Sequence, residues 1–407
     1  MIRLFIILTL SSSFSYAQWY QIHFSQVYKH QPLQAANNPQ RIDTFLTKQI
    51  LQTKHSLDAA LQELDSDSIT QALIQAHNQG ILIRVVTETD YAHEDSILQL
   101  QKAGISVRTD NDRSGLMHNK FLIFDHKTVW TGSLNTTDNG CYKNNNNAIA
   151  IVSEKLAANF SAEFDELWNG QFGKSSPKSI PHPVITMQDG TIITTLFAPE
   201  MGAASVLMRQ IAEAETSVVF MAFSFTHDGI GNTMIARYQD GVDVSGIFEK
   251  RGSSSKYSEF GKMKQLGVNV VTDTNPYVLH HKVVVIDEDT VITGSFNFSS
   301  NAAKTNDENL LVIEGNHDIA ATYLDEYLRL RGMVDIADQP VSAEVGLINI
   351  NTCSREELIS LSGIGPALAD RIIAARFYSS VNDLVKVKGI GQAKLNKIRG
   401  QITVDNQ

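Results

Sequence analysis

The sequence predicts an α/β protein of two homologous halves, followed by a small all-α module. Three observations carry that expectation. A pattern of His, Lys, Asp, Gly, Ser and Asn occurs twice, the segments around it repeat at the same offset, and beyond residue 347 the chain changes to short helices punctuated by Gly-Ile-Gly.

In chain order, the first residues are Met1-Ile2-Arg3, then a mainly apolar run from Leu4 to Leu10, then Ser-rich residues ending Ser15-Tyr16-Ala17. A basic start, a short apolar run and small residues at a cleavage point predict a signal peptide over residues 1–17. That run is too short to span a bilayer, and no later stretch approaches ~18 apolar residues. The expectation is an exported protein, periplasmic or secreted, without stable membrane insertion. At 407 residues the chain has room for two or three domains of ~150 residues each. Cys141 and Cys353 are too few for a disulfide scaffold, and a chain this long buries a core without one.

Within residues 18–180, a helical pattern over Ser68–His77 leads to the apolar strand beginning Gly80-Ile-Leu-Ile. A helix over Ser96–Lys102 and a short strand, Ile105–Val107, follow. Residues 181–335 repeat the series: a helix near Thr233–Tyr238, a strand from Gly241 to Phe248, a helix near Phe260–Gln265 and a strand over Val268–Val271. Gly80 and Gly241 lie 161 positions apart, His118 and His280 lie 162 apart, so the register barely drifts. Strands alternating with helices predict a helix-covered sheet in each half. The run Asn144–Asn147 reads as a loop. Gln171–Thr186, carrying Pro177, Pro181 and Pro183, reads as a linker. A further composition shift over Asp335–Val345 sets off residues 343–407.

The repeated motif is His118-Asn-Lys120, Asp125, Gly132-Ser133-Leu-Asn135, then His280-His-Lys282, Asp287, Gly294-Ser295-Phe-Asn297, at identical spacing. Six matched identities at ~5% background, tried at ~400 starting points, arise by chance about once in 10⁵ such chains. A second copy removes coincidence. Phe121–Phe124 and Val283–Ile286 predict buried strands, on which His and Lys share a face while Asp125 and Asp287 point away. Both aspartates are read as structural acceptors at the strand end. The small turns at Ser133 and Ser295 let Asn135 and Asn297 approach a phosphate closely.

These residue types suit one phosphodiester. A neutral imidazole attacks phosphorus to give a phosphohistidine, and the other, protonated, donates to the leaving oxygen. Lys120, Lys282, Asn135 and Asn297 hold the non-bridging oxygens. No carboxylate–histidine set at metal-ligand spacing accompanies them, so no metal or cofactor is expected. His126 and His281, beside the motifs, are read as bystanders.

The twice-carried His-x-Lys-x4-Asp-x6-Gly-Ser-x-Asn signature resembles that of the phospholipase D superfamily, over roughly residues 40–330. The resemblance implies two packed α/β/α halves sharing one active site at their interface, around a pseudo-two-fold axis, in a monomer. It implies catalytic roles for His118, Lys120, Asn135, His280, Lys282 and Asn297. It further implies that a buried acidic or amide residue, fourteen positions after the motif glycine, orients the histidine of the other half. Those positions hold Asn146 and Glu308. On that basis Glu308 makes His118 the nucleophile and leaves His280 as general acid. The superfamily includes phospholipases, nucleases, phosphatidyl transferases and tyrosyl-DNA phosphodiesterases, so the motif points to a chemistry rather than a substrate.

The C-terminal stretch opens a helix near Asn351, Thr352 or Ser354, with Glu357 placed for a capping box to Ser354. Gly363-Ile-Gly365 recurs as Gly389-Ile-Gly391, 26 positions later. This resembles tandem helix-hairpin-helix motifs, most closely the DNA-binding domain of bacterial DNA-uptake receptors. Glycines permit a tight hairpin and leave backbone N–H groups at a helix start for phosphate. The chain's net charge of −10 makes it a poor generic polyanion binder, so a nucleic-acid site must be a local basic patch. Residues 343–407 carry eight Lys/Arg against six Asp/Glu, and Lys386, Lys388, Lys394, Lys397 and Arg399 cluster around the second Gly-Ile-Gly. Binding there is expected to ignore base identity and to depend on salt.

The combined expectation is an exported, sequence-nonspecific endonuclease with DNA as partner, RNA remaining open. The alternatives are a phospholipase or phosphatidyl transferase, and a non-catalytic DNA-binding protein. The first is disfavoured because no aromatic-rich amphipathic stretch offers itself to a bilayer.

Overall fold

The computed structural model describes residues 19–25, 41–111, 114–337, 347–361 and 364–404. The expected signal peptide and Gly363 lie outside them. The chain forms two compact units, one up to Tyr327 and one from Leu328 onward.

In the first unit, β1 (Tyr20–Phe24), β2 (Ser56–Leu61), β3 (Leu82–Thr87), β4 (Ser106–Thr109), β5 (Lys120–Phe124), β6 (Thr128–Gly132) and β7 (Asn147–Val152) make one sheet. Its order is β1-β7-β6-β5-β2-β3-β4. The strands β2, β3 and β4 are parallel, and the helices Asp67–Asn78 and Asp95–Lys102 supply the crossovers that parallel pairing demands. The remaining neighbours are antiparallel, and a tight turn suffices between β5 and β6. At that turn Asp125 and His126 have φ of 52° and 51°, a left-handed pair that twists with the hairpin.

A second sheet holds β8 (Val184–Thr186), β9 (Ile192–Ala198), β10 (Ser217–Ala222), β11 (Asp243–Phe248), β12 (Asn269–Thr272), β13 (Lys282–Ile286), β14 (Thr290–Gly294) and β15 (Glu308–Glu314). Its order, β12-β11-β10-β13-β14-β15-β9-β8, reproduces the first sheet strand for strand, with β8 added at one edge. The two like α/β halves are therefore present. Each has its own core: Leu46, Leu73, Val85 and Trp130 in the first, Leu207, Phe220, Met234 and Val284 in the second. All five residues of β13 are buried, which explains an apolar run without alternation. Phe160 packs edge-to-face on both Phe121 and Phe197, joining the halves through an apolar layer.

Two segments differ from their sequence reading. The stretch read as a linker ends in β8, and the His182 backbone exchanges two hydrogen bonds of 2.7 Å with the Asn159 side chain. Pro181 and Pro183 have no N–H to give, so His182 alone makes that contact. The run Asn144–Asn147 is a loop as far as Asn146 and enters β7 at Asn147, but most of it is shielded from solvent. Asn145, Asn146 and Asn147 are buried, because each supplies hydrogen bonds at the junction of the two halves.

The second unit contains the helices Arg355–Ser360, Pro366–Ala374 and Gln392–Ile398 around Ile350, Leu358, Ile372, Leu384 and Leu395. Ser354 and Glu357 form a reciprocal capping box. Gly389 sits at φ +104°, where an added Cβ would meet the Arg371 guanidinium at 3.2 Å and Leu368 at 3.3 Å. Among the described residues, no helix is long and apolar enough to cross a membrane.

Candidate active site

The motif glycines come first in the local logic. Gly132 and Gly294 end β6 and β14 at φ +149° and +151°. A Cβ there would lie 2.4 Å from the Asn147 carbonyl oxygen and 2.2 Å from that of Asn309. Only glycine lets these strands close on β7 and β15, and the turns after them deliver Ser133, Asn135, Ser295 and Asn297.

The halves are stitched by two reciprocal backbone bridges. His118 N–H donates to Asp307 and Asp307 N–H to Leu116, at 3.0 and 2.8 Å. Its mate joins Asn145 N–H to Val278 and His280 N–H to Asn145, both at 2.8 Å. Each bridge sets one motif histidine beside the strand start of the opposite half. There His118 Nδ1 lies 2.7 Å from Glu308 Oε2, and His280 Nδ1 donates to Asn146 Oδ1 at 2.9 Å and to the Ser133 carbonyl at 3.0 Å. Ser295 donates to Glu308 at 2.7 Å and Ser133 to Asn146 at 2.9 Å. Because Asn146 Nδ2 donates to the Gly140 carbonyl, its oxygen faces the imidazole.

Lys120 donates to the His118 carbonyl at 2.8 Å and to Gln62 at 2.9 Å. Lys282 donates to the His280 carbonyl at 2.8 Å, and its ammonium lies 4.7 Å from the centroid of Phe223. Asn135 donates to Glu63 at 3.3 Å. Asn135 Oδ1 and Asn297 Oδ1 are buried without a hydrogen-bond partner among the described residues, a condition that clusters at functional sites.

Burial dominates the electrostatics. It holds both imidazoles well below their ordinary range, and the two lysines push each of them further down. Lys120 falls to about 7, against the pull of Glu308 and Glu63, and Lys282 is lowered too, by burial and then by Lys120. Burial lifts the Glu308 carboxyl to about 7, opposed by Lys120 and by hydrogen bonds from Ser295 and Asn306. Above that pH the direction is clear: ionised Glu308 accepts the Nδ1–H of a neutral His118, leaving its Nε2 lone pair free.

Asp125 and Asp287 stand apart from this chemistry. Asp125 accepts the backbone N–H groups of Lys54, His55 and Ser56, and Asp287 those of Glu215, Thr216 and Ser217. Both carboxyls sit below their usual range because of those donors, against an opposing effect of burial. Lys388, Lys397 and Arg399 are exposed in the second unit, Lys394 is half-buried, and Lys386 pairs with Asp383 at 2.6 Å. Gly365 and Gly391 each start a helix there without a side-chain cap.

A polar layer beneath the histidines escaped the sequence reading. Asn309 donates to Asn119 at 2.9 Å and accepts from Thr131 at 2.6 Å, crossing the interface. Its counterpart Asn147 donates to His281 Nδ1 at 3.0 Å and accepts from Thr293 at 2.9 Å. His281 is thus wholly buried and bonded, with Glu326 at 3.2 Å on its other nitrogen. A signal existed: Asn147/Asn309 and Thr131/Thr293 keep the same 162-residue offset as the histidines. Gln62, Glu63 and Phe223 carried none, because the two halves differ there.

Residues 46–168 and 207–331 match the family described as cardiolipin synthase, PLD-like domain. Residues 344–403 match the helix-hairpin-helix motif. The phospholipase D of Rickettsia prowazekii (strain Madrid E) is 30% identical over 164 residues, 40% of this chain and 80% of its own. The mitochondrial cardiolipin hydrolase of Chlamydomonas reinhardtii is 32% identical over 143 residues, 35% of this chain and 63% of its own. The solved phosphatidylserine synthase of Haemophilus influenzae Rd KW20 shares the fold, with a TM-score of 0.58 over 76% of this chain and 86% of that one at 12% identity. Two PLD-like halves that cross-brace a pair of histidines, followed in sequence by a helix-hairpin-helix region, place this chain in the phospholipase D superfamily of phosphodiesterases.

Proposed function

We propose that the protein is a sequence-nonspecific endonuclease that cleaves DNA through a phosphohistidine, without a metal. The observation that carries DNA over lipid is the helix-hairpin-helix motif in the same chain as the phosphodiesterase unit. Its exposed Lys388, Lys397 and Arg399 suit a phosphate backbone. Export, with residues 1–17 removed, belongs to the same proposal and rests on the sequence alone.

The different partners of the two histidines support a division of labour. His118, against a carboxylate, is the nucleophile: its Nε2 lone pair forms the N–P bond as the P–O bond to the leaving group breaks. The negative charge of Glu308 offsets the positive charge that grows on the ring. His280, against a neutral amide, gives its Nε2 proton to the leaving oxygen. The anionic diester between the two rings favours the protonated form that burial opposes. Water then attacks phosphorus, His280 takes its proton, and the N–P bond breaks to free His118. Lys120, Lys282, Asn135 and Asn297 hold the non-bridging oxygens throughout.

A second reading, hydrolysis of a phospholipid, is favoured by the names of relatives such as phospholipase D and mitochondrial cardiolipin hydrolase. The deciding assay gives purified protein in EDTA both plasmid DNA and phospholipid vesicles, beside His118→Ala and His280→Ala. DNA cleavage abolished in both variants is the expected result. Lipid turnover with intact plasmid reverses the substrate, and binding of DNA without cleavage removes the enzyme reading.

A further inference from the structure

The two mouths of the site differ, although the strands beneath them repeat. After β2 the chain reads Gln62-Glu63-Leu64-Asp65, and at the matching place after β10 it reads Phe223-Ser224-Phe225-Thr226. After β3, residues 88–95 carry Glu88, Asp90, Glu94 and Asp95 with no Lys or Arg. After β11 the matching residues, 249–256, carry Lys250, Arg251 and Lys256 against Glu249. Two eight-residue rims of one site thus have formal charges of −4 and +2. The acids after β2 add to the first rim: Glu94 is pushed up to about 7 by burial, then by Glu63 and Asp65.

Behind the basic rim lies a cavity of about 440 Å³, lined by Phe223, Phe225, Phe248, Arg251 and Val278 among others. That volume falls within the ~300–1,000 Å³ of small-ligand sites. The Phe223 ring lies 4.7 Å from the His280 ring, centroid to centroid. The cavity therefore adjoins the imidazole that faces the departing oxygen. Its counterpart in the first half is Gln62, a polar side chain occupied with Lys120.

Resting on the nuclease reading, we propose that the second-half mouth is the subsite for the leaving-group side of a nucleic-acid strand. A base stacks on Phe223 in the cavity and the adjoining phosphate pairs with Arg251, while the acidic first-half mouth repels a further run of phosphates. Aromatic surface with a cation at its rim is the arrangement that holds single strands without reading sequence.

The test measures kcat/KM for the full chain and Phe223→Ala on a tetranucleotide, and on versions with one base at a time replaced by an abasic residue. Bis(p-nitrophenyl) phosphate is the reference diester. In the wild type, loss of one base on the leaving-group side is expected to cost roughly 5- to 150-fold, the range of base–aromatic stacking. In Phe223→Ala the same removal costs at most about twofold, because its partner has gone. Arg251→Glu lowers the tetranucleotide value at least about tenfold relative to the reference diester. An equal abasic cost in both proteins, or a ratio that answers to Asp90→Lys and not to Arg251→Glu, overturns the subsite and leaves the nuclease standing. A wild type that hydrolyses phospholipid but no tetranucleotide sinks both.

Discussion

Replacing Glu308 by Gln keeps the shape of the site and removes one charge, 2.7 Å from His118 Nδ1. A hydrogen bond to an ionised partner contributes about 1.5–3 kcal/mol and a neutral one about 0.5–1.5, so roughly 1–1.5 kcal/mol is lost. At 1.36 kcal/mol per tenfold that is about a factor of ten in rate. The amide adds a geometric cost. Ser295 and Asn306 donate to different oxygens of the Glu308 carboxylate, and a carboxamide keeps one accepting oxygen and puts a donor NH2 in place of the other. The expected loss in kcat/KM is therefore about 10- to 100-fold. The pH profile supplies the sharper readout. Glu308 must be ionised to accept from His118, and it ionises as pH rises through about 7, so the wild type gains activity across that window. Lys120 loses its charge near the same pH, which gives a falling limb above it. Glu308→Gln removes the rising limb and keeps the falling one. Retention of full activity, or of the rising limb, in that variant refutes the role given to Glu308.

The same substitution acts oppositely on stability. A carboxyl raised to about 7 in the fold favours folding at low pH and loses that contribution as pH rises through 7, so Glu308→Gln raises the unfolding midpoint at pH 8 more than at pH 5.5 in thermal melts. Gly294→Ala forces a Cβ against the Asn309 carbonyl at 2.2 Å and at a left-handed φ. A loss of roughly 3 kcal/mol in denaturant unfolding is expected, together with loss of activity. Asp125→Ala strips the acceptor from three backbone N–H groups far from the reacting atoms. It costs about 2–3 kcal/mol of stability in urea titrations while kcat stays within about threefold. Deleting residues 343–407 leaves turnover of bis(p-nitrophenyl) phosphate unchanged. It weakens binding of long DNA and flattens the salt dependence by roughly one unit of slope for each phosphate no longer neutralised, as read by filter binding across a salt series.

The paired half-sites were legible because one constellation of polar residues recurs at constant spacing on two strands, and spacing survives folding. The helices and parallel strands were legible for the same reason, and the capping box at Ser354 is a purely local signal. Two features were hidden by composition. Four asparagines in a row resemble a solvated spacer, yet burial of Asn145, Asn146 and Asn147 follows from partners 130 or more residues away. Three prolines near residue 180 suggest a linker, but Val184–Thr186 finds an edge strand to extend. Phe223 was hidden by divergence: a search for repeats finds what the halves share, and the cavity exists where they differ.

The crossed bridges have a consequence for what a covalent link between the halves permits. Two identical copies meeting around an axis must give each histidine the same companion, so either ring could begin the reaction. Fusing both copies into one polypeptide lets a single position diverge, an acid at 308 and an amide at 146. On the proposed assignment of nucleophile and acid, the chemical roles then become fixed and a substrate has one productive direction. Damage to Asn146 disables a ring that belongs, by chain order, to the opposite lobe, so neither lobe expressed alone carries a finished site.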